Sequence, residues 1–468
     1  MTTECTQKAF EFQGLGRREI IGAFEGAEIT SDAGALLLRE QERASGIIRQ
    51  FAACFTDHRD PSQVEHSVTE LVAQRVYGLA LGYEDLNDHE ELKNDRLLAT
   101  LVEKTDPTGQ SRKRARDRGK PLAGKSTLNR LELTPKRGPE ERYKKTVLDE
   151  EAVDRFFVGT FLQAHEEPPE RIILDVDASD DPLYGDQEGK FFHGYYRDYC
   201  YLPLYIFCGR WLLCARLRES NIDASKGTVE ELERIVAQIR AKWPEVEIVL
   251  RGDSGFCREP IMAWCEQNGV EYVLGIAKNE RLKAAIAEEL AEAEALYEHS
   301  GKAARIFKDF TYSTLDSWSR ARRVIAKAEH LSRGENPRFV VTSLGDLCAR
   351  ELYEDLYAAR GDMENRIKEQ QLDFFADRTS THFMWSNQVR LWISSVAYTL
   401  LQHLRHFGLR GTSLEVAQSG TIRLKLFKIG ALVRVTVRRI FLSFAEGYPY
   451  RDLFAQVLAN VRAAAAAA

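Results

Sequence analysis

Long apolar runs are missing from this 468-residue sequence. None approaches the roughly eighteen residues that a membrane-spanning helix needs, and the opening Met1-Thr-Thr-Glu-Cys5 has no signal-peptide pattern. A cytoplasmic location is expected. Cysteine is sparse: eight residues are scattered, with no CxxC and no Cys/His spacing suited to zinc. A disulfide scaffold and a zinc centre are therefore set aside in favour of free buried thiols in a reducing compartment. Internal repeats are absent too. Positive charge is not in excess, since the net charge is −6, which argues against a protein that coats nucleic acid over its whole surface.

The distribution of charge argues differently. Residues 112–145 carry thirteen Lys and Arg against four Asp and Glu, and residues 403–451 carry nine against two. Two basic stretches on an otherwise acidic chain imply localised contact with a polyanion, and some of these charges simply solvate the surface. The length allows about two to four domains.

In chain order, residues 1–45 read as partly extended and then helical from Ser31. Val68–Leu81 and Leu86–Leu101 read as amphipathic helices, and Ser126 opens a shorter one. Between them Ser111-Arg-Lys-Arg-Ala-Arg-Asp-Arg-Gly-Lys120 is a loop or flexible arm, a linker or a DNA contact through Arg112, Lys113, Arg114, Arg116 and Arg118. After Pro168-Pro169 a strand is expected over 171–179, a hairpin over 195–217, a helix over 230–242, a strand over 246–250, a helix over 260–267 and a strand over 270–276. That order suggests an α/β fold with a mixed sheet flanked by helices. One helix over 280–297 then gives way to short alternating strands at 304–310, 319–328 and 338–343, read as an inserted β-rich subdomain bearing Trp318. Helices follow over 347–375 and 389–404. Residues 420–450 read as basic strands, and Ala463–Ala468 as a tail without chemistry. The divisions are 1–168 (helical, with a basic arm at 111–145), 169–300 and 347–410 (two parts of one core), 301–346 (the insertion) and 411–468 (basic end).

Carboxylates carry the chemical signal. On the 171–179 strand, alternation puts Asp175 and Asp177 on one face with Ile173, where burial is costly unless they are paired or metal-bound. Asp253 follows an apolar strand in Arg251-Gly-Asp-Ser-Gly-Phe256, at the strand end where open α/β sheets place their chemistry. A helix-capping aspartate reads equally well there. In the helix containing Tyr357, Arg360, Glu364, Lys368 and Gln371, those five residues share one face. A solvated stripe with a Glu364–Lys368 pair is the plain alternative.

These three segments resemble the DDE transposases of bacterial insertion sequences, and among them the IS thirteen-eighty family of the IS-four-like superfamily. Tyr77-Gly-Leu-Ala-Leu-Gly-Tyr-Glu-Asp-Leu-Asn-Asp-His89, Ser126-Thr-Leu-Asn-Arg-Leu-Glu132, His193-Gly-Tyr-Tyr196, Tyr201-Leu-Pro-Leu-Tyr205 and Arg423-Leu-Lys-Leu-Phe-Lys-Ile-Gly-Ala431 are similar to that family as well. The resemblance implies a ribonuclease-H-like core, a helical N-terminal DNA-binding domain and a β-rich insertion between the second and third acids. Asp177, Asp253 and Glu364 would be those acids and the ligands of two magnesium ions, with Asp175 the alternative first acid and manganese tolerated. It further implies cut-and-paste transposition of DNA bounded by inverted repeats, by a homodimer in the bacterial nucleoid. Tyr357 and Arg360 would position the helix or touch phosphate; Lys278 and Asn279 would contact the backbone; Trp318 would stack on a base or fill a core. One departure stands out. Where the superfamily has a Lys, with six residues separating it from the Glu, this chain has Gln371, so Lys368 would take its role. The alternatives are a catalytically silent DNA-binding descendant and a recombination or repair nuclease on the same core.

Overall fold

Buried strands need apolar side chains on both faces, and the segment after Pro168-Pro169 supplies them. In the computed structural model, which describes residues 9–24, 26–134 and 146–467, Arg171–Ala178 forms β1 of a nine-stranded sheet. Its Ile172, Leu174 and Val176 enter one hydrophobic cluster, and Ile173 packs against a second on the opposite face. The other strands are β2 (Leu204–Cys208), β3 (Trp211–Arg216), β4 (Glu247–Gly252), β5 (Glu271–Ile276), β6 (Ala304–Tyr312), β7 (Arg322–Leu331), β8 (Gly334–Glu335) and β9 (Arg338–Thr342). Their order is β3-β2-β1-β4-β5-β9-β7-β6, with β8 on β7. Strands β2 and β3 run antiparallel next to β1, whereas β4 and β5 lie parallel to it on the other side. Crossovers between parallel strands need helices, and α1 (Thr228–Lys242) and α2 (Glu259–Gln267) provide them.

The strands expected as a separate β-rich insertion extend this sheet instead. β9 pairs with β5, β7 with β9 and β6 with β7, all antiparallel. Consecutive residues Val324, Ile325 and Ala326, and Val340 and Val341, are fully buried. Such unbroken apolar runs belong to strands covered on both faces, not to the half-solvated sheet of a small subdomain.

The N-terminal helices likewise do not close a core of their own. Val68–Ala80, with a capping box from Ser67 and Glu70, shares one cluster with α4 (Met384–His403), with Ile422, Leu426 and Phe427, and with Val457 and Val461 of the helix Arg451–Ala467. Residues 463–467, read as a featureless tail, are thus the last turn of a docked helix. Two expected helices are interrupted. Leu86–Leu101 breaks where Asp95 caps a new helix through the Leu98 amide (2.7 Å), and the helix expected over 280–297 breaks at Ile286 and continues to Ser300. The expected 195–217 hairpin is also two pieces: β2–β3, and a small separate sheet containing Phe191–His193 and Asp198–Tyr201. All cysteines among the described residues are free thiols, and no helix there is long and apolar enough to cross a membrane.

Candidate active site and basic surfaces

Parallel pairing of β1 and β4 fixes the acids. Arg251 lies opposite Asp175 and Gly252 opposite Val176, so Asp253 leaves the end of β4 next to Asp177 near the end of β1. Asp253 folds into a tight turn, its carboxylate accepting the Gly255 amide at 2.7 Å. Glu364 comes from α3 (Gly361–Phe374), which passes over the same strand ends. Arg360, one turn earlier, ties the pieces together: its guanidinium donates to Asp177 Oδ2 (3.2 Å) and to Glu364 Oε1 (2.7 Å). Burial lifts the Asp177 carboxyl to about 6; Arg360 opposes the shift, while the charges of Asp253 and Glu364 add to it. The three acids therefore share one electrostatic environment.

Asp175, the alternative first acid, is placed differently. It is buried and held by Arg251 in a bidentate pair, Nε to Oδ1 at 2.5 Å and Nη2 to Oδ2 at 2.8 Å, and Arg251 also donates to the Leu356 carbonyl (2.5 Å). The pair joins two strands to the segment preceding α3, which uses both carboxylate oxygens. That segment, Leu352–Tyr357, is wound as a π-helix before the turn Ala358–Arg360. The Tyr357 hydroxyl lies against Gly275 of β5, where a Cβ would also meet the Ser254 amide at 3.0 Å. No sequence pattern marked Gly275 or the Arg251 clamp, because both depend on strand register.

The remaining expected residues divide by role. Gln371 donates to Asp181 Oδ1 and the Asp180 carbonyl (both 3.1 Å) and to Ser179 Oγ (3.4 Å), bracing the loop that follows Asp177. Lys368 is exposed on α3. Asn279 caps the helix Glu280–Ala285 through the Leu282 amide (2.9 Å), with Lys278 exposed beside it past the end of β5. Trp318 packs at the edge of the larger sheet cluster, its ring edge-on to Tyr312 at 5.8 Å and under the Arg322 guanidinium at 5.6 Å.

Basic charge gathers around a cleft of about 600 Å³ in the N-terminal region, lined by Arg112, Lys113, Arg114 and Arg116 together with Arg59, Lys93, Lys120 and Arg130. Arg112 is committed to the fold through Glu65 (2.8 Å) and the Lys120 carbonyl (2.8 Å). Lys113 donates to the Ser62 carbonyl. Arg114, Arg116 and Arg118 are exposed. Residues 135–145 of the basic arm lie outside the described residues. In the second basic stretch, Arg405 is buried on Glu369 (2.7 Å), Lys428 pairs with Asp32 (2.7 Å) and Arg423 donates to the Ala80 carbonyl (2.8 Å). Those three charges hold the fold; Arg434, Arg438 and Arg439 of the hairpin end stay exposed.

Carboxylate oxygens are the donors a hard divalent cation prefers, so Asp177, Asp253 and Glu364 fit such an ion chemically. Among the described residues, however, no three His, Cys, Asp or Glu are gathered closely enough to form a ready-made metal cluster. The Arg360 guanidinium supplies positive charge between two of the three acids. No curated protein matches the chain. The model of one family, described as transposase DDE domain group 1, matches residues 12–466, nearly the full length and across all three candidate acids, and the chain belongs to that family of DDE transposases.

Proposed function

We propose that this transposase cuts DNA at transposon ends marked by inverted repeats and joins the freed 3′-hydroxyl to target DNA, with Asp177, Asp253 and Glu364 as its catalytic acids. The observation that carries the reading is the convergence of β1, β4 and α3, with one guanidinium spanning Asp177 and Glu364 and with Asp253 at the adjoining strand end. The order of the first five strands, with β1, β2 and β3 successively antiparallel and β4 and β5 parallel to β1, supports a ribonuclease-H-like core. DDE transposases generally use divalent metal ions, and two such ions activate the attacking oxygen and stabilise the leaving one. We assign those ions, magnesium with manganese tolerated, to the three acids.

The side chains have separable tasks. Asp177, pushed up by burial and by its acidic neighbours, is poised to gain from a nearby positive charge. Arg360 holds Asp177 and Glu364 together and has the planar donor set suited to a phosphate. Arg251 and Asp175 fix the strand spacing. Exposed Arg114, Arg116, Arg118 and Lys278 would contact the DNA backbone, whereas Trp318 serves the packing of the sheet edge. A homodimer that synapses two ends, in the bacterial cytoplasm, completes the proposal.

The test is cleavage and joining of DNA carrying the element's ends. Asp177→Asn, Asp253→Asn and Glu364→Gln should each abolish both steps in magnesium and leave DNA binding intact. Near-normal cleavage by any one variant would remove that residue from the site. A second reading, a DNA-binding protein without catalysis, requires that the unaltered protein leave such DNA uncut. Cutting without joining would mark a nuclease.

A further inference from the structure

The hairpin between Asp177 and β2 takes no part in the arrangement above. Phe191–His193 and Asp198–Tyr201 pair antiparallel with Phe192 opposite Tyr199, and Asp181–Pro182 adds a third strand. Cys200 and Tyr201 are fully buried. The rest is unusual for a surface: Tyr184 is 89% exposed, Tyr195 84%, Phe192 56% and Tyr199 47%. A cluster of exposed aromatic side chains on one short stretch marks a binding surface.

The rings are held in place. Phe192 and Tyr199 meet edge to face at 5.6 Å, as do Tyr195 and Tyr196 at 5.1 Å. Cations accompany them: Lys190 Nζ sits 4.8 Å from the centre of the Tyr199 ring, and Arg197 stands in the turn with φ +58°. The turn also reaches the acids, because the Tyr196 hydroxyl donates to the carbonyl of Ala178, the residue after Asp177, at 3.4 Å.

Exposed aromatic faces with neighbouring cations suit single-stranded nucleic acid, whose bases offer π-faces and whose backbone offers negative charge. In a duplex those faces are covered by neighbouring bases. We propose that Tyr195, with the Phe192–Tyr199 pair, stacks on unpaired DNA bases beside the strand held at the carboxylates. This rests on the DNA-cutting reading above.

The experiment measures binding of a short labelled oligothymidylate, and of a duplex of mixed sequence, by fluorescence anisotropy. Tyr195→Ala and Phe192→Ala should weaken oligothymidylate binding by about five- to 150-fold for each lost stack, with duplex affinity unchanged. Tyr195→Phe keeps the ring and should bind as the unaltered protein does. Oligothymidylate binding unchanged in both alanine variants overturns the proposal. If such unchanged binding comes with loss of a dimer in sedimentation, the patch is an interface between copies and the proposal fails. An unaltered protein that binds duplex but not oligothymidylate overturns the stacking proposal alone. One that binds neither overturns the DNA-cutting reading with it.

Discussion

Neutralising Asp177 should make the protein more stable at neutral pH while abolishing the proposed cleavage. The carboxyl titrates near 6 in the fold, against an ordinary 3.8, because burial and the charges of Asp253 and Glu364 outweigh Arg360. A carboxyl whose pKa is raised by folding stabilises the fold fully below its unfolded value, and that contribution is lost as pH rises from about 4 through about 6. That rise, from 3.8 to about 6, is worth roughly 3 kcal/mol at pH 8. Asparagine resembles the protonated acid in shape, so Asp177→Asn should recover much of that amount. The measurement is the Tm of both proteins between pH 4 and pH 8 in EDTA. A rise of a few degrees for the variant is expected at pH 8, shrinking to nothing near pH 4. Added magnesium should raise the Tm of the unaltered protein and narrow the gap. A variant that is less stable at pH 8, or equally shifted at both pH values, would refute the account of crowded acids.

At limiting magnesium, cleavage by the unaltered protein should fall as pH drops below about 6, where a proton competes with the ion for Asp177; a rate at limiting magnesium that stays flat from pH 8 to pH 5 would contradict that competition. Gly275→Ala should cost about 1–3 kcal/mol, read from Tm, because its methyl meets the Tyr357 hydroxyl and the Ser254 amide. Adding Tyr357→Phe should restore part of that loss. Gln371→Leu should cost roughly 1–3 kcal/mol by leaving the buried Asp181 without its donor, again read from Tm, and unchanged stability would deny the bracing role. Arg116→Ala should weaken duplex binding and lower the salt slope by about 1, whereas Arg112→Ala should lower Tm first, since Arg112 is paired with Glu65.

The parts of the site written in local sequence could be read from it. Alternation in Ile172 to Asp177 placed the acids on one face, and the apolar run before Arg251-Gly252-Asp253 marked a strand end. Helical spacing put Arg360 and Glu364 together, as their 2.7 Å contact bears out. What depends on register was illegible. Asp175 and Asp177 are equivalent by alternation, and only the pairing of Arg251 opposite Asp175 sets them apart. The π-wound turn before α3 has no periodic signature, and neither does the break at Ile286. The strands from 304 to 342 were short and alternating enough to suggest a sheet of their own; which edge they join is decided by β5, which lies far away in sequence.

One consequence of the shared core concerns synthesis. Helices near residues 36–80 bury their apolar faces against residues near 384–461, so those early segments leave the ribosome long before their partners exist. In nascent chains those early helices should therefore stay sensitive to protease, and dependent on chaperones, until translation is almost finished. A product stopped before residue 384 would leave those early helices with their apolar faces uncovered.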